Sequence, residues 1–233
     1  MSHILAVKVA QTETLLLSDG SSIETAIRKK AVDSVRVHPL GAEGNDVGDK
    51  KHHGGADKAL FFMAQKSLEK LTALLGLDYD YLRDSRFGEN FVVSESDENS
   101  VCIGDQYRIG SALVEVCQPR KPCNTLSKNT EVPETRKIVV ETGLVGWYVR
   151  VLENGVISQG DKFELIKRPY PEMTVAVLHG LLSQPAKTLD KTVLDNAIAC
   201  PPLAEGYKKT LYKQAEKLAQ KSSESAFFNT PEF

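Results

Sequence analysis

The sequence predicts a mainly β fold with helices: a barrel or sandwich of short strands over residues 1–168, then a small three-helix module over residues 169–233. Three observations predict it. Short apolar or alternating runs recur, each cut off by glycine or proline, without the helix-after-every-strand rhythm of βαβ units. Gln106–Ile109 and residues 112–116, parted by Gly110 and Ser111, read as a hairpin. After Lys167 the apolar period changes from two to about 3.6.

Each element has its own signal. Residues 4–10 alternate through Leu5, Val7 and Val9, with Lys8 inside the run. Residues 34–37 alternate until His38-Pro39-Leu40-Gly41 breaks the pattern, and residues 59–63 form a continuous apolar run that reads as a buried strand. Residues 67–75 place Leu68, Leu71, Leu74 and Leu75 at helical spacing, with Ser67 as cap and Gly76 as stop. Residues 91–94 make a short β-branched strand, and the hairpin follows. Residues 130–141 predict a helix with Pro133 early and Gly143 just past its end. Residues 146–152 and 161–166 complete the β part.

Beyond it, residues 173–182 predict a helix capped by Thr174, with Val175, Leu178, Leu181 and Leu182 on one face. A second helix spans 187–199, with Leu194 and Ile198 one turn apart, and ends at Cys200-Pro201-Pro202. A third spans 204–220, with Leu211, Ala215 and Leu218 in register and lysines and glutamates opposite. A module of about 60 residues is marginal alone. Its apolar faces call for cover, from the β part or from a second copy in a homodimer. The last dozen residues, polar and then apolar at Phe227-Phe228, are expected to be loosely held.

Composition narrows the function. Lys and Arg number 29 against 31 Asp and Glu, a net charge of −2, which speaks against a nucleic-acid polymer as partner but leaves room for a local basic pocket. No apolar run approaches the ~18 residues of a membrane span, and residues 1–10 lack the order of a signal peptide. A cytoplasmic protein without membrane contact is expected. The four cysteines, Cys102, Cys117, Cys123 and Cys200, contain no CxxC pair, so a structural zinc site is not expected. In a reducing compartment each serves packing or chemistry.

Three short stretches can carry chemistry. In Lys51-His52-His53-Gly54-Gly55-Ala56-Asp57-Lys58 two glycines let backbone N–H groups approach a ligand, and lysines surround them. This is an anion nest or a solvated turn. In Phe87-Gly88-Glu89-Asn90-Phe91 the amide of Asn90 suits a polar heterocycle, or the stretch is a turn entering a strand. In Gln118-Pro119-Arg120-Lys121-Pro122-Cys123 two prolines stiffen the backbone on either side of two cations. A thiol held beside Arg120 and Lys121 favours thiolate, the form that nucleophiles and soft-metal ligands need.

These three stretches occur in order with Gly146-Trp147-Tyr148-x-Arg150-Val151 and Gly160-Asp161. Together they resemble the MOSC domain family, named for the C-terminal domain of molybdenum cofactor sulfurases, in its YiiM-like branch. The likeness runs over about residues 1–220. It implies a MOSC-type β-barrel with peripheral helices and a three-helix appendage. It implies Cys123 as the catalytic thiolate and ligand to molybdenum, carried by the molybdenum cofactor (molybdopterin). His53, Gly54 and Gly55 would wrap the pterin or its phosphate with backbone donors, Arg120 would offer a planar fork, and Asn90 would read a polar edge. Lys29, in Thr25-Ala26-Ile27-Arg28-Lys29, is expected near the phosphate.

The implied activity is reduction of a small-molecule substrate, an N-hydroxylated compound such as a 6-N-hydroxylaminopurine-type base analogue, in a detoxification role. Electrons would come from a separate reductase, in keeping with the lack of a GxGxxG motif. Two other readings stand beside it. One is a sulfur carrier with a Cys123 persulfide. The other is a non-catalytic module whose pocket holds an anion, of the pyridoxal phosphate kind or a pterin.

Overall fold

A computed structural model describes residues 1–48, 54–185 and 188–228, the last eight as backbone. Apolar runs bounded by turn residues become strands. These are β1 (Ile4–Val9), β2 (Glu13–Leu16), β3 (Ser22–Thr25), β4 (Lys30–Val32), β5 (Ser34–His38), β6 (Gly41–Ala42) and β7 (Leu60–Ala64). The others are β8 (Phe91–Val93), β9 (Gln106–Ile109), β10 (Ala112–Pro119), β11 (Trp147–Glu153), β12 (Gly155–Ser158) and β13 (Glu164–Lys167). Eight of them form one sheet in the order β13-β9-β10-β11-β7-β8-β1-β4. A three-stranded sheet, β12-β5-β6, and the hairpin β2-β3 flank it.

The mainly β class with helices holds, but the barrel is not closed. The large sheet curls until residues 2–4 meet residues 160–163, with Ile4 N donating to Asp161 O at 2.9 Å and Phe163 N to Ser2 O at 2.9 Å. The edge strand β4 then turns to the loop before β8 instead of to β13: Ala31 N donates to Arg83 O (2.8 Å) and Ser85 N to Lys29 O (2.9 Å). With its outer edge occupied this way, β4 cannot complete the ring. One strand pair, β7–β8, is parallel, joined through the helix α1 (Gln65–Leu75), so a single crossover unit does sit in an otherwise antiparallel sheet.

The helices follow their capping chemistry. α1 starts two residues before Ser67, whose hydroxyl instead donates to Glu98 Oε2 at 2.6 Å, and it ends at Gly76 in the left-handed region (φ 61°). The single helix expected over 130–141 is two: α2 (Asn124–Thr130) and α3 (Thr135–Thr142). Glu131 turns left-handed (φ 57°) between them, and Pro133 follows. α4 (Val175–Ser183) is capped by Thr174, whose Oγ1 accepts from Val177 N at 3.1 Å. α5 (Lys191–Ala199) is capped by the Asp190 carboxylate; its expected start at Lys187 lies outside the described residues. α6 (Glu205–Phe228) runs past the expected end at Gln220, and residues 229–233 of the expected tail lie outside the description.

One hydrophobic core joins sheet and helices. Phe62 stacks on Phe91 (4.7 Å) and Trp147 (6.4 Å) at its centre, and Leu178, Leu194, Tyr207 and Leu211 extend it through the helical part.

Candidate functional site

The strands β3, β7, β10 and β11 converge on an open cavity of about 820 Å³, counted out to its mouth. Lys29, Asn90, Arg120 and Cys123, four of the seven residues singled out in the sequence, all line it. The loop that carries the last two leaves β10 at Pro119, which pairs with Trp147. Arg120 N donates to Gly146 O (3.1 Å), so the loop stays stitched to β11 as it departs. Position 146 takes glycine because its φ is +68° and a Cβ there would stand 2.4 Å from Phe62 O. Cys123 is partly buried and occupies the residue before α2. Cys102, Cys117 and Cys200 are buried. Burial pushes the Cys117 thiol up, and its Sγ donates to Asp57 O at 3.1 Å.

Arg120 is 6 % exposed. Its guanidinium lies 5.5 Å over the Phe61 ring, Nη2 donates to Phe87 O at 3.4 Å, and Nη1 has no hydrogen-bond partner among the described residues. Burial lowers its pKa, against the opposing pull of Tyr148, Cys123 and Glu89. Lys29, also 6 % exposed, donates to Asn45 Oδ1 (2.8 Å) and Ala26 O (3.3 Å). Burial lowers its pKa to about 8, while Glu89 raises it and Lys8 lowers it further. An ammonium has three donors, so one remains for a ligand.

Beneath the cavity, Lys8 and Glu89 form a fully buried ion pair at 2.5 Å. Lys8 Nζ also donates to Tyr81 O and Asp84 O, and Ser85 Oγ to Glu89 Oε2. The lysine inside the first apolar run is therefore a core residue. Because Lys8 already matches Glu89, the pair offsets little of the positive charge that Lys29, Lys58 and Arg120 bring to the cavity wall, where Glu24 and Asp46 are the acidic members.

Asn90, 4 % exposed, spends its amide inside the protein. Nδ2 donates to Lys8 O (3.1 Å) and Asn45 Oδ1 (3.1 Å), and Oδ1 accepts from Phe61 N (3.2 Å). It holds Asn45, and through Asn45 it places Lys29. Lys121 does not flank the thiol as expected: its ammonium turns to α6, donating to Thr210 Oγ1 (2.9 Å) and Gly206 O (3.3 Å). His53, with Lys51 and His52, lies outside the described residues. Gly54 and Gly55, the latter at φ +97°, enter a short 3₁₀ turn, Ala56–Lys58; Lys58 and Ala59 line the cavity, and the two glycines are not among its lining residues.

The sequence reading assigned no role to Tyr148, Phe61 or Phe87, which give the cavity flat apolar walls. The rings of Phe61 and Tyr148 lie 4.9 Å apart. A signal for Tyr148 was present: on β11, Trp147, Val149 and Val151 are buried, so period two sends Tyr148 and Arg150 to the other face. Burial raises the Tyr148 pKa, against Arg120, so its phenol stays protonated at neutral pH.

The profile of the MOSC domain matches residues 49–164. The YflK protein of Bacillus subtilis is 33 % identical over 216 residues, covering 92 % of this chain and 95 % of that one. The chain belongs to the MOSC domain family. The crystal structure of YiiM from Geobacillus stearothermophilus covers 92 % of this MOSC protein and 99 % of itself, with a TM-score of 0.74 at 26 % identity, and sets it in the YiiM-like branch. A Gibberella moniliformis protein named a reductase is 34 % identical over 158 residues, 67 % of this chain and 28 % of that protein.

MOSC domains are associated, as a family, with binding the molybdenum cofactor. The residues of this cavity suit such a group. Cys123 presents one soft donor, and Arg120 Nη1 is a buried cation donor without a partner among the described residues. Among those residues no set of three or more His, Cys, Asp or Glu gathers to hold a bare ion. No helix among the described residues is long and apolar enough to cross a membrane.

Proposed function

We propose that this MOSC protein is a cytoplasmic, molybdenum-cofactor-dependent reductase of N-hydroxylated compounds, base analogues of the 6-N-hydroxylaminopurine kind among them, fed with electrons by a separate reductase. The observation that carries the reading is the buried guanidinium of Arg120, with Nη1 lacking a partner among the described residues, in one cavity with the partly exposed Cys123. Burying a cation without its full set of acceptors is costly. An anionic or carbonyl-bearing ligand removes that cost. The family's association with the cofactor, and the reductase name of one relative, point the same way.

In this reading Cys123 Sγ holds the metal. Arg120 Nη1 and Lys29 Nζ hold pterin or phosphate oxygens, helped by backbone donors of His53, Gly54 and Gly55, and Phe61 and Phe87 pack on flat rings. The bound cofactor supplies the two-electron chemistry that turns N–OH into N–H with loss of water. That reaction takes up two protons, and the cavity holds two groups that carry protons at neutral pH, Tyr148 Oη and Lys29 Nζ.

The test is elemental analysis of protein purified from a host that makes the cofactor. About one molybdenum per chain is expected in the wild type and none in Cys123→Ala, with reduction of 6-N-hydroxylaminopurine lost in parallel. Cyanolysable sulfur on Cys123 without molybdenum would overturn the proposal in favour of a sulfur carrier.

A further inference from the structure

None of the residues that line the cavity comes from the helical module, yet the module reaches the loop that carries Cys123. Lys121 sits between Arg120 and the Pro122-Cys123 pair, and its side chain lies along the first turn of α6. The ammonium donates to Gly206 O (3.3 Å) and Thr210 Oγ1 (2.9 Å) and stands 5.4 Å from the centre of the Tyr207 ring. Gly206 and Thr210 are one helical turn apart, so a single amine spans the turn.

The surface it grips is firm. Tyr207 is 1 % exposed, and its hydroxyl donates to Leu178 O on α4 at 2.9 Å. Ala204 N donates to Cys117 O (2.9 Å), which ties the start of α6 to β10 just before the loop. The same stretch reaches the turn that leads to Lys58 in the cavity wall. Arg150 Nη1 donates to Pro202 O (2.8 Å) while its Nε meets Asp57 Oδ1 (2.6 Å), in the turn that Gly54 and Gly55 enter. Asp57 O in turn accepts from Gln118 Nε2 at 2.9 Å.

We infer that Lys121 is a positioning residue, through which the first turn of α6 fixes the place of Arg120 and Cys123. The prolines at 119 and 122 restrict the backbone on both sides, so a tether at the residue between them sets the whole loop. The helical module then has a task at the cavity without contributing a residue to it. This holds whatever ligand the cavity takes, since each contact is within the protein.

The experiment is iodoacetamide labelling of the ligand-free protein, with the rate at Cys123 read by peptide mass; the other three cysteines are buried. Lys121→Met keeps the apolar stem over Tyr207 and removes the donors. If Lys121 tethers the loop, labelling of Cys123 speeds up about threefold or more, as expected for losing a charged hydrogen bond near the surface. Lys121→Arg restores the wild-type rate. If Lys121 acted only through its charge, its loss would disfavour thiolate and slow labelling. Thr210→Val should shift the rate in the same direction as Lys121→Met, and the double variant should go no further than Lys121→Met alone. An unchanged or slower rate in Lys121→Met, or full additivity with Thr210→Val, overturns the inference.

Discussion

Lys29 shows how much of this cavity is arranged against the protein's own stability. Its ammonium is buried with two neutral acceptors, and that burial brings its pKa down to about 8. An unfolded lysine titrates near 10.4. Between those values the unfolded chain binds more protons than the folded one, so this residue's contribution to stability rises with pH across the window and is least favourable below pH 8. Lys29→Met is therefore expected to raise unfolding free energy at pH 7 by ~1–3 kcal/mol, a gain that shrinks as pH approaches 10. Denaturant melts at the two pH values check this. The same variant should bind inorganic phosphate more weakly, and wild-type affinity for phosphate should fall as pH rises through about 8. Equal stability of variant and wild type at pH 7 would mean that the ammonium is well compensated and not a cost borne for binding.

At the scale of elements, Gly146 joins the Cys123 loop to the sheet. It takes φ +68°, donates its N–H to Glu98 Oε1 (2.9 Å), accepts from Arg120 N, and leaves 2.4 Å between a would-be Cβ and Phe62 O. Gly146→Ala should push β11 off β7 and cost ~2–4 kcal/mol, read as a lowered urea midpoint, with Cys123 labelling faster than in wild type. Elements with local signals were legible in the sequence. Thr174, Gly76 and Gly143 cap helices by chemistry that needs no tertiary context, and the β9–β10 hairpin announces itself by its turn. The hairpin β2–β3 was not legible, because its strands are four residues each and largely exposed. The break between α2 and α3 was hidden because Glu131, a residue that seldom turns left-handed, is the one that does. The cavity divides the same way. Arg120 and Cys123 lie on one stiff hexapeptide and could be read together. Asn45, which bridges Asn90 and Lys29 through Oδ1, reaches the site only through the fold.

For the whole molecule, the question is whether sheet and helical module melt together. By sequence they divide near residue 168, and the module's apolar period differs from the sheet's. In the structure the boundary is bonded across. Ile103 N donates to Met173 O (2.8 Å), Val175 N to Val101 O (2.9 Å) and Ala204 N to Cys117 O (2.9 Å). α4 packs on β10, and the core runs from Phe62 and Trp147 into Leu194 and Leu211 without interruption. Elements that share a core and backbone hydrogen bonds unfold as one cooperative unit. Leu211 is 0 % exposed on α6, far from any cavity residue in sequence, and so tests this cleanly. Leu211→Ala should cost ~3 kcal/mol and lower a single transition by roughly 6–12 °C, for sheet and helix probes alike. Near-UV dichroism reports the sheet core through Trp147, the one tryptophan in the chain, and far-UV dichroism reports the helices. Coincident melts that move together place the module inside the same folding unit as the cavity. A helical signal that melts early while the Trp147 signal keeps its wild-type midpoint would make the module a separate unit, and would leave Lys121 tethered to a support that can let go on its own.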